Sequence, residues 1–314
     1  MWYFYDDFQN VEFDKIVNEI NNAFRNIFIG KEWKEIFTKQ FEQEIRKTKL
    51  HKLFYDYYEL YKTTDGNERR KIYSAYCKNM RIEEICLGTI KPISYSQLNE
   101  NVSKKLRELF DYLYSDFTKR KLFKNNVGGL KGYYEQFYIE TSININKRCP
   151  FCGIQAMASG KNSHRPDFDH YLLESKYPFV SLLRKNLMPM CDDCNKKYKK
   201  VKDISNYKKV FYPFSRNINN KLVYKNNTYK IVNNTYSEEV TSWDEIFDVE
   251  NRIDLYSENL KLGWITSINE TKIFGAQLSF DEALKMEIAR IENNYYSSDN
   301  FIEKAYLEDL QIYV

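Results

Sequence analysis

The chain has 314 residues, 43% hydrophobic and 17% aromatic, with a formal net charge of +4, which is long enough for two domains or for one core with sizeable additions. Its 10 Gly and 6 Pro against 27 Tyr and 21 Phe argue for long regular elements and against a turn-rich all-β architecture. There is no apolar run of roughly 18 residues that would span a membrane. The start, Met1-Trp2-Tyr3-Phe4-Tyr5-Asp6-Asp7, lacks the basic-then-apolar pattern of a signal peptide, so a cytoplasmic protein with no membrane partner is expected.

Residues 1–145 read as a helical N-terminal domain. Trp33, Ile36, Phe37, Phe41, Ile45 and Leu50 recur at three- and four-residue steps, predicting helix across Lys31 to Lys62. Thr64-Asp65-Gly66-Asn67 is a turn, and Pro92 ends the next helical piece. Leu98, Val102, Leu106, Leu109, Leu113 and Phe117 mark an amphipathic helix. Lys119-Arg120-Lys121 near its end suit the negative end of the helix dipole. Val127-Gly128-Gly129 reads as a linker, and helix resumes from Leu130 to Thr141. Cys77 and Cys86 lie in apolar helical surroundings and are expected as buried small hydrophobes. His51, in a basic stretch, reads as solvated.

Residues 146–215 form a metal segment, and 216–314 a C-terminal region that is mixed but mainly helical. Leu222-Val223-Tyr224 and Tyr229-Lys230-Ile231-Val232 read as short strands joined by Asn-Asn turns. From Trp243 the pattern is helical again, with a capping box at Ser279-Phe280-Asp281-Glu282 and Leu284, Ile288 and Ile291 on one face. The fold class is α+β, mainly α. Charge is unevenly spread: residues 231–314 hold 6 Lys+Arg against 17 Asp+Glu. A polyanion-binding surface is therefore expected on the first 230 residues.

Two cysteine pairs organise the middle segment, Cys149-Pro150-Phe151-Cys152-Gly153 and Cys191-Asp192-Asp193-Cys194. Each Cys-x-x-Cys turn can present two thiolates to one zinc ion, and the second pair closes a tetrahedral shell. Pro150 and Gly153 fit such a turn. The 38 residues between Cys152 and Cys191 are too many for a small DNA-reading finger and enough for an inserted hairpin and loop. A redox dithiol would open a helix within a βαβ unit, which is absent here. Structural Zn²⁺ at Cys149, Cys152, Cys191 and Cys194 is the expectation, and it would stabilise so small a segment directly.

Between the pairs lies Asp169-His170, and Asn195 follows Cys194 at once. Cutting a phosphodiester requires a cation for the charge that grows on oxygen and a base for the attacking water. A neutral imidazole suits the second task near pH 7. Magnesium-like ions take one or two oxygen ligands from the protein, which Asp169 and the Asn195 side-chain carbonyl can supply. Neighbours on a strand point to opposite faces, so Asp169 and His170 could address one phosphate only at a bend or hairpin end.

Asp169-His170-Tyr171-Leu172-Leu173-Glu174-Ser175-Lys176-Tyr177-Pro178, then Asn186-Leu187-Met188-Pro189-Met190-Cys191 and Asn195, resemble the HNH endonucleases with a ββα-metal fold. The pattern is most similar to the zinc-clamped branch that includes the phage recombination endonuclease VII group, and to bacterial HNH proteins. Some of the latter occur in phage-defence pairs with an ATPase, such as Septu-type systems. Phe211-Tyr212-Pro213-Phe214 also resembles a family feature. The resemblance covers about residues 147–215, roughly a fifth of the chain. It implies a zinc-stapled ββα-metal module, with His170 as the catalytic base, Asn186 bracing the loop that orients His170, and Asp169 and Asn195 as ligands of a catalytic Mg²⁺ or Mn²⁺. Many relatives have His where Asn195 stands, and the loss of that softer ligand favours Mg²⁺ or Mn²⁺ over zinc there. Leu173 replaces a frequent Pro.

Arg184 and Lys185 precede Asn186, and Lys196, Lys197, Lys199, Lys200 and Lys202 follow Asn195. If Asn195 opens a helix, these cations spread around it and several would meet a nucleic-acid backbone without sequence choice. His164 reads as a loop residue or a lining of the site. The expected function is a metal-dependent endonuclease acting on nucleic acid, DNA foremost, with anti-phage defence and an ATPase partner following from the resemblance. The alternative is a non-catalytic zinc module that binds nucleic acid or bridges proteins.

Overall fold

The computed structural model describes residues 1–6, 8–141, 147–159, 167–214, 218–274, 278–293 and 299–312. His164 lies outside them.

The first half is helical: α1 (Val11–Phe28), α2 (Lys39–Ile45), α3 (Lys49–Thr63), α4 (Gly66–Asn79), α5 (Ile82–Cys86), α6 (Glu100–Ser115), α7 (Lys121–Val127) and α8 (Gly129–Thr141). Caps set several of the boundaries. The side chain of Asn10 accepts from Phe13 N to start α1, and that of Asp65 accepts from Asn67 N and Glu68 N to start α4. The helix expected from Lys31 to Lys62 is three pieces, a short turn at Trp33–Glu35, then α2 and α3. Extended Thr38 and Thr48 precede the last two, and the Thr38 hydroxyl accepts from Phe41 N.

The amphipathic stretch forms α6, with Val102, Leu106, Leu109 and Leu113 buried. Lys119-Arg120-Lys121 does not lie in its last turn. α6 ends at Ser115, a short turn covers Phe117–Lys119, and Arg120 and Lys121 stand at the start of α7. There the helix dipole is positive, so these cations oppose it by roughly 0.3–1 kcal/mol each. The expected linker at 127–129 is a tight corner: Gly128 takes φ +79° to end α7, and α8 starts at Gly129. Cys86 is buried, but Cys77 is exposed. His51 is packed beside Trp33 and Phe37 instead of being solvated.

The middle segment contributes an antiparallel pair, β1 (Phe168–His170) with β2 (Leu187–Pro189), in the register Asp169 opposite Met188. A seven-residue π-helix, Asp193–Lys199, follows. The expected hairpin is present as β3 (Lys221–Lys225) and β4 (Thr228–Val232). Its turn residues Asn226 and Asn227 sit at φ +53° and +62°, the left-handed pair that matches strand twist. The chain ends in α9 (Ser237–Phe247), α10 (Val249–Glu258), α11 (Lys261–Phe274), α12 (Phe280–Glu292) and α13 (Asn300–Gln311). Ser279 and Glu282 form the capping box of α12, and Leu284 and Ile291 are buried. The architecture is α+β and mainly α. No helix among the described residues is long and apolar enough to cross a membrane.

A single cluster of buried side chains runs through all of these segments. Phe179, in the β1–β2 connection, joins the middle segment to the helices. Its ring packs at 5.2 Å from Phe24, 5.3 Å from Phe110 and 5.4 Å from Tyr76. The backbone accepts φ +72° there, a strain of about 1–2 kcal/mol that ring burial and edge contacts outweigh.

Candidate functional site

The two Cys-x-x-Cys turns meet. Cys149, Cys152, Cys191 and Cys194 are all buried and unoxidised, and their four Sγ atoms lie within 4.8 Å of one another. Cys149 and Cys194 are 3.8 Å apart, and Cys152 and Cys191 are 3.9 Å apart. A zinc tetrahedron with bonds of about 2.3 Å has edges of about 3.8 Å, so the donor set fits that ion. A disulfide would need about 2.05 Å. Backbone N–H groups of Cys191 and Cys194 donate to Cys149 Sγ and Cys191 Sγ at 3.4 Å, as thiolate knuckles require. Burial pushes the Cys149 and Cys194 thiols up. Burial also opposes ionisation of Cys152, but bonds from the other three thiols and the nearby Arg252 charge hold it well below its ordinary range.

Distant parts of the chain close over this cluster. Arg252 on α10 donates to Cys194 Sγ at 3.3 Å and stacks on Tyr198, placing a positive charge against thiolates that would leave a zinc site net negative. Trp243 on α9 donates to the Phe151 carbonyl in the first turn at 2.7 Å. Gly153, at φ +71°, lies under Trp2 and Phe301.

Around the hairpin, Asn186 is wholly buried and ties the two ends of the connection together. Its Oδ1 accepts from Leu172 N at 2.7 Å, and its Nδ2 donates to the carbonyls of Leu172 at 2.9 Å and Val180 at 3.3 Å. The same connection offers the Ser181 carbonyl to His170 Nε2 at 2.9 Å. A carbonyl can only accept, so Nε2 carries the proton of the neutral ring and Nδ1 keeps a lone pair. Tyr114 of α6 stands edge-on to the imidazole, 4.4 Å between centroids. Burial pulls the His170 pKa down to about 4, so the ring is neutral at pH 7.

Asp169 takes the opposite side of the strand, toward the π-helix. Its carboxyl is raised by burial, against the pull of Lys199. Lys199 Nζ lies 2.8 Å from Asp169 Oδ2 and donates to the His170 carbonyl at 3.1 Å. The lysine makes an ion-pair contact, yet Oδ2 receives no properly directed hydrogen bond. Asn195 donates its Nδ2 to the Asp167 carbonyl at 3.0 Å, and its Oδ1 accepts no hydrogen bond among the described residues. The π-helix thus lies along β1, with Asn195 at the strand's start and Lys199 at its end. Asp169 and Asn195 offer oxygen atoms of the kind a hard divalent cation takes. The His170 ring makes no hydrogen bond to either of them, and Lys199 acts electrostatically on both His170 and Asp169.

The basic residues differ from expectation. Lys199 is wholly buried, so it is no surface phosphate contact. Arg184 is also buried, held by Asp14 at 3.1 Å and by the Phe8 carbonyl. Lys185 is half-buried. Lys196 is exposed but paired with Asp192 at 3.3 Å and Asp167 at 3.8 Å, and Lys197 with Asp193 at 2.6 Å. Lys202 donates to the Glu245 and Ile246 carbonyls at the end of α9. Lys200, at φ +46° beyond the helix, is exposed. Asn195 is the third residue of its helix and does not open it.

No protein family matches the chain, and no solved structure matches it. A 75-residue stretch is 33% identical to Protein ea31 of Escherichia phage lambda. That stretch is 24% of this chain and 23% of the phage protein, so the chain spans about a quarter of the length of the relative it matches.

Proposed function

We propose that the chain is a metal-dependent endonuclease of the HNH type, hydrolysing phosphodiester bonds of nucleic acid, with DNA the foremost substrate. The observation that carries this reading is the setting of His170. Its Nε2–H is spent on a carbonyl, its Nδ1 lone pair is left for a water, and burial keeps it neutral at working pH. A general base needs that tautomer and that charge state. Asn186 holds the connection whose Ser181 carbonyl sets the tautomer. Asp169 and Asn195 would hold Mg²⁺ or Mn²⁺, which supplies charge stabilisation on the phosphoryl and leaving oxygens when bound. Asp169 Oδ2, which faces Lys199 Nζ at 2.8 Å, and Asn195 Oδ1, unbonded among the described residues, are oxygen ligands suited to it. His170 takes the proton of the attacking water at Nδ1, and an approaching phosphate anion raises its basicity for that step. The four cysteines, as a zinc staple, fix the π-helix against β1. A role in phage defence beside an ATPase extends the same reading by resemblance.

The test is plasmid cleavage with Mg²⁺ or Mn²⁺ by wild type and His170→Ala. A drop of about 100-fold or more is expected on losing a general base. Equal cutting by both proteins rejects His170 as the base. The Asp169–Lys199 pair favours a second reading, in which Asp169 is a structural anchor and the zinc segment is a non-catalytic module. No cutting by either protein, with nucleic-acid binding retained, selects that one.

A further inference from the structure

We propose that the phosphodiester backbone of a nucleic-acid substrate docks on residues 118–131, beside His170, and not on the lysines of the π-helix. This rests on the nuclease reading and names where its substrate lies. From Thr118 to Lys131 the chain carries Lys119, Arg120, Lys121, Lys124 and Lys131 and no acidic residue. The first four are exposed and have no ion-pair or hydrogen-bond partner for their side chains among the described residues. Lys131 has only a 3.9 Å contact with Glu135. The π-helix lysines are in the opposite state: Lys196 and Lys197 are paired with carboxylates, and Lys199 is buried.

Position and shape agree with the charge. Lys119, Lys124 and Lys131 line one cavity of about 270 Å³ together with Gly128 and Gly129. Thr118 at its edge donates its hydroxyl to the Tyr114 carbonyl at 2.7 Å, and the Tyr114 ring abuts His170. Thr118 is four positions past Tyr114, across the end of α6 and the short turn that follows it. A strand whose scissile phosphate meets His170 would run on past Tyr114 toward these lysines. Arg120 and Lys121 oppose the dipole of α7, whereas Lys124 in its last turn suits it. Exposed, unpaired cations gathered along one groove fit a surface whose partner is a polyanion.

The test measures binding of the full-length protein to a labelled DNA duplex, and to a labelled RNA strand of the same length, across a salt series in Mg²⁺-free buffer with zinc retained. The variants are Lys119→Gln/Lys124→Gln and Lys196→Gln/Lys197→Gln. All four positions are exposed, so the melting temperatures should match wild type. The first pair is expected to weaken binding by about tenfold and to reduce the duplex salt slope by about 2, near 0.9 per lost phosphate contact; the second pair should change it by less than about threefold. Which nucleic acid shows the effect identifies the substrate class. Wild type that binds while the first pair is unchanged, or less affected than the second, overturns this docking surface alone. Wild type that binds neither nucleic acid overturns the nuclease reading with it.

Discussion

Lys199 and Asp169 form a buried ion pair, Nζ to Oδ2 at 2.8 Å, in which the lysine is wholly inaccessible. The pair joins the C-terminal end of the π-helix to the middle of β1, on the side where Asn195 also meets the strand. Removing the ammonium leaves a carboxylate in low dielectric with no charge partner, a loss of about 3–5 kcal/mol. Lys199→Met should therefore lower the urea midpoint markedly at pH 7, and Asp169→Asn in the same chain should recover most of that loss. A double-mutant cycle measures the coupling; additive effects would mean the contact carries no energy. With its internal cation gone, the Lys199→Met protein should also show a larger Mn²⁺-induced rise in melting temperature than wild type.

Asn186→Ala removes three hydrogen bonds from a site with no exposure and strands the Leu172 N–H and carbonyl, while the Val180 carbonyl keeps the Leu183 N–H at 3.3 Å. Such orphaned groups cost about 1–3 kcal/mol each before relaxation, so a loss of about 2–4 kcal/mol is expected in chemical denaturation. Asn186→Asp keeps the acceptor for Leu172 N but turns a carboxylate oxygen toward two carbonyls in a buried site, so it should destabilise at least as much as the alanine. On the proposed nuclease reading, cleavage should fall further than stability explains, because the Ser181 carbonyl that accepts from His170 Nε2 belongs to the same connection.

The burial of His170 makes stability depend on pH with a definite sign. Its pKa is about 4 in the fold and about 6.5 unfolded. Between those values the unfolded state holds the extra proton, so stability is full above about pH 6.5 and is lost as pH falls toward 4. The full difference is about 3 kcal/mol. Asp169, whose carboxyl is raised, works in the other direction at the acid end. Subtracting the profile of His170→Gln from that of wild type isolates the imidazole, and a flat difference between pH 4 and 6.5 would show that the ring is not buried neutral.

What could be read from the sequence was what depends on neighbours in the chain. Leu106, Leu109 and Leu113 specify α6 through spacing alone, Ser279 and Glu282 announce a cap, and Asn226-Asn227 can take the left-handed conformations that their hairpin needs. The four cysteines announce their cluster because knuckle geometry is local to each Cys-x-x-Cys. Side-chain direction was not legible. Lys199 and Lys196 belong to one basic run, yet π-helical winding turns the first into the protein and leaves the second outside. Arg184 looks like a phosphate contact until Asp14, 170 residues earlier, captures it. Arg252 and Trp243 reach the cysteines from helices whose own patterns speak only of amphipathic packing, and Tyr114 gives no sign in α6 that it will meet an imidazole.

Trp2 and Phe301 close over the first cysteine turn from distant parts of the chain. At Gly153 an added Cβ would stand 2.5 Å from Trp2 Cδ1 and 2.9 Å from Phe301 Cζ, on a backbone already at φ +71°. Both rings are fixed, Trp2 by edge contact with Trp243 at 5.3 Å and by Phe301 at 4.8 Å, so neither yields cheaply. The left-handed conformation adds about 1–2 kcal/mol for any side chain, and the overpacking about 1–3 kcal/mol more. Gly153→Ala should thus destabilise by about 2–5 kcal/mol and, because the strained turn carries Cys149 and Cys152, release zinc to a chromogenic chelator faster than wild type. Wild type should bind one zinc per chain by elemental analysis, and stripping it should abolish cooperative unfolding of the segment, since metal affinity and local folding are one free energy here. If Gly153→Ala lowers the melting temperature while the zinc off-rate stays unchanged, the aromatic lid over the turn is packing alone and does not hold the metal in place.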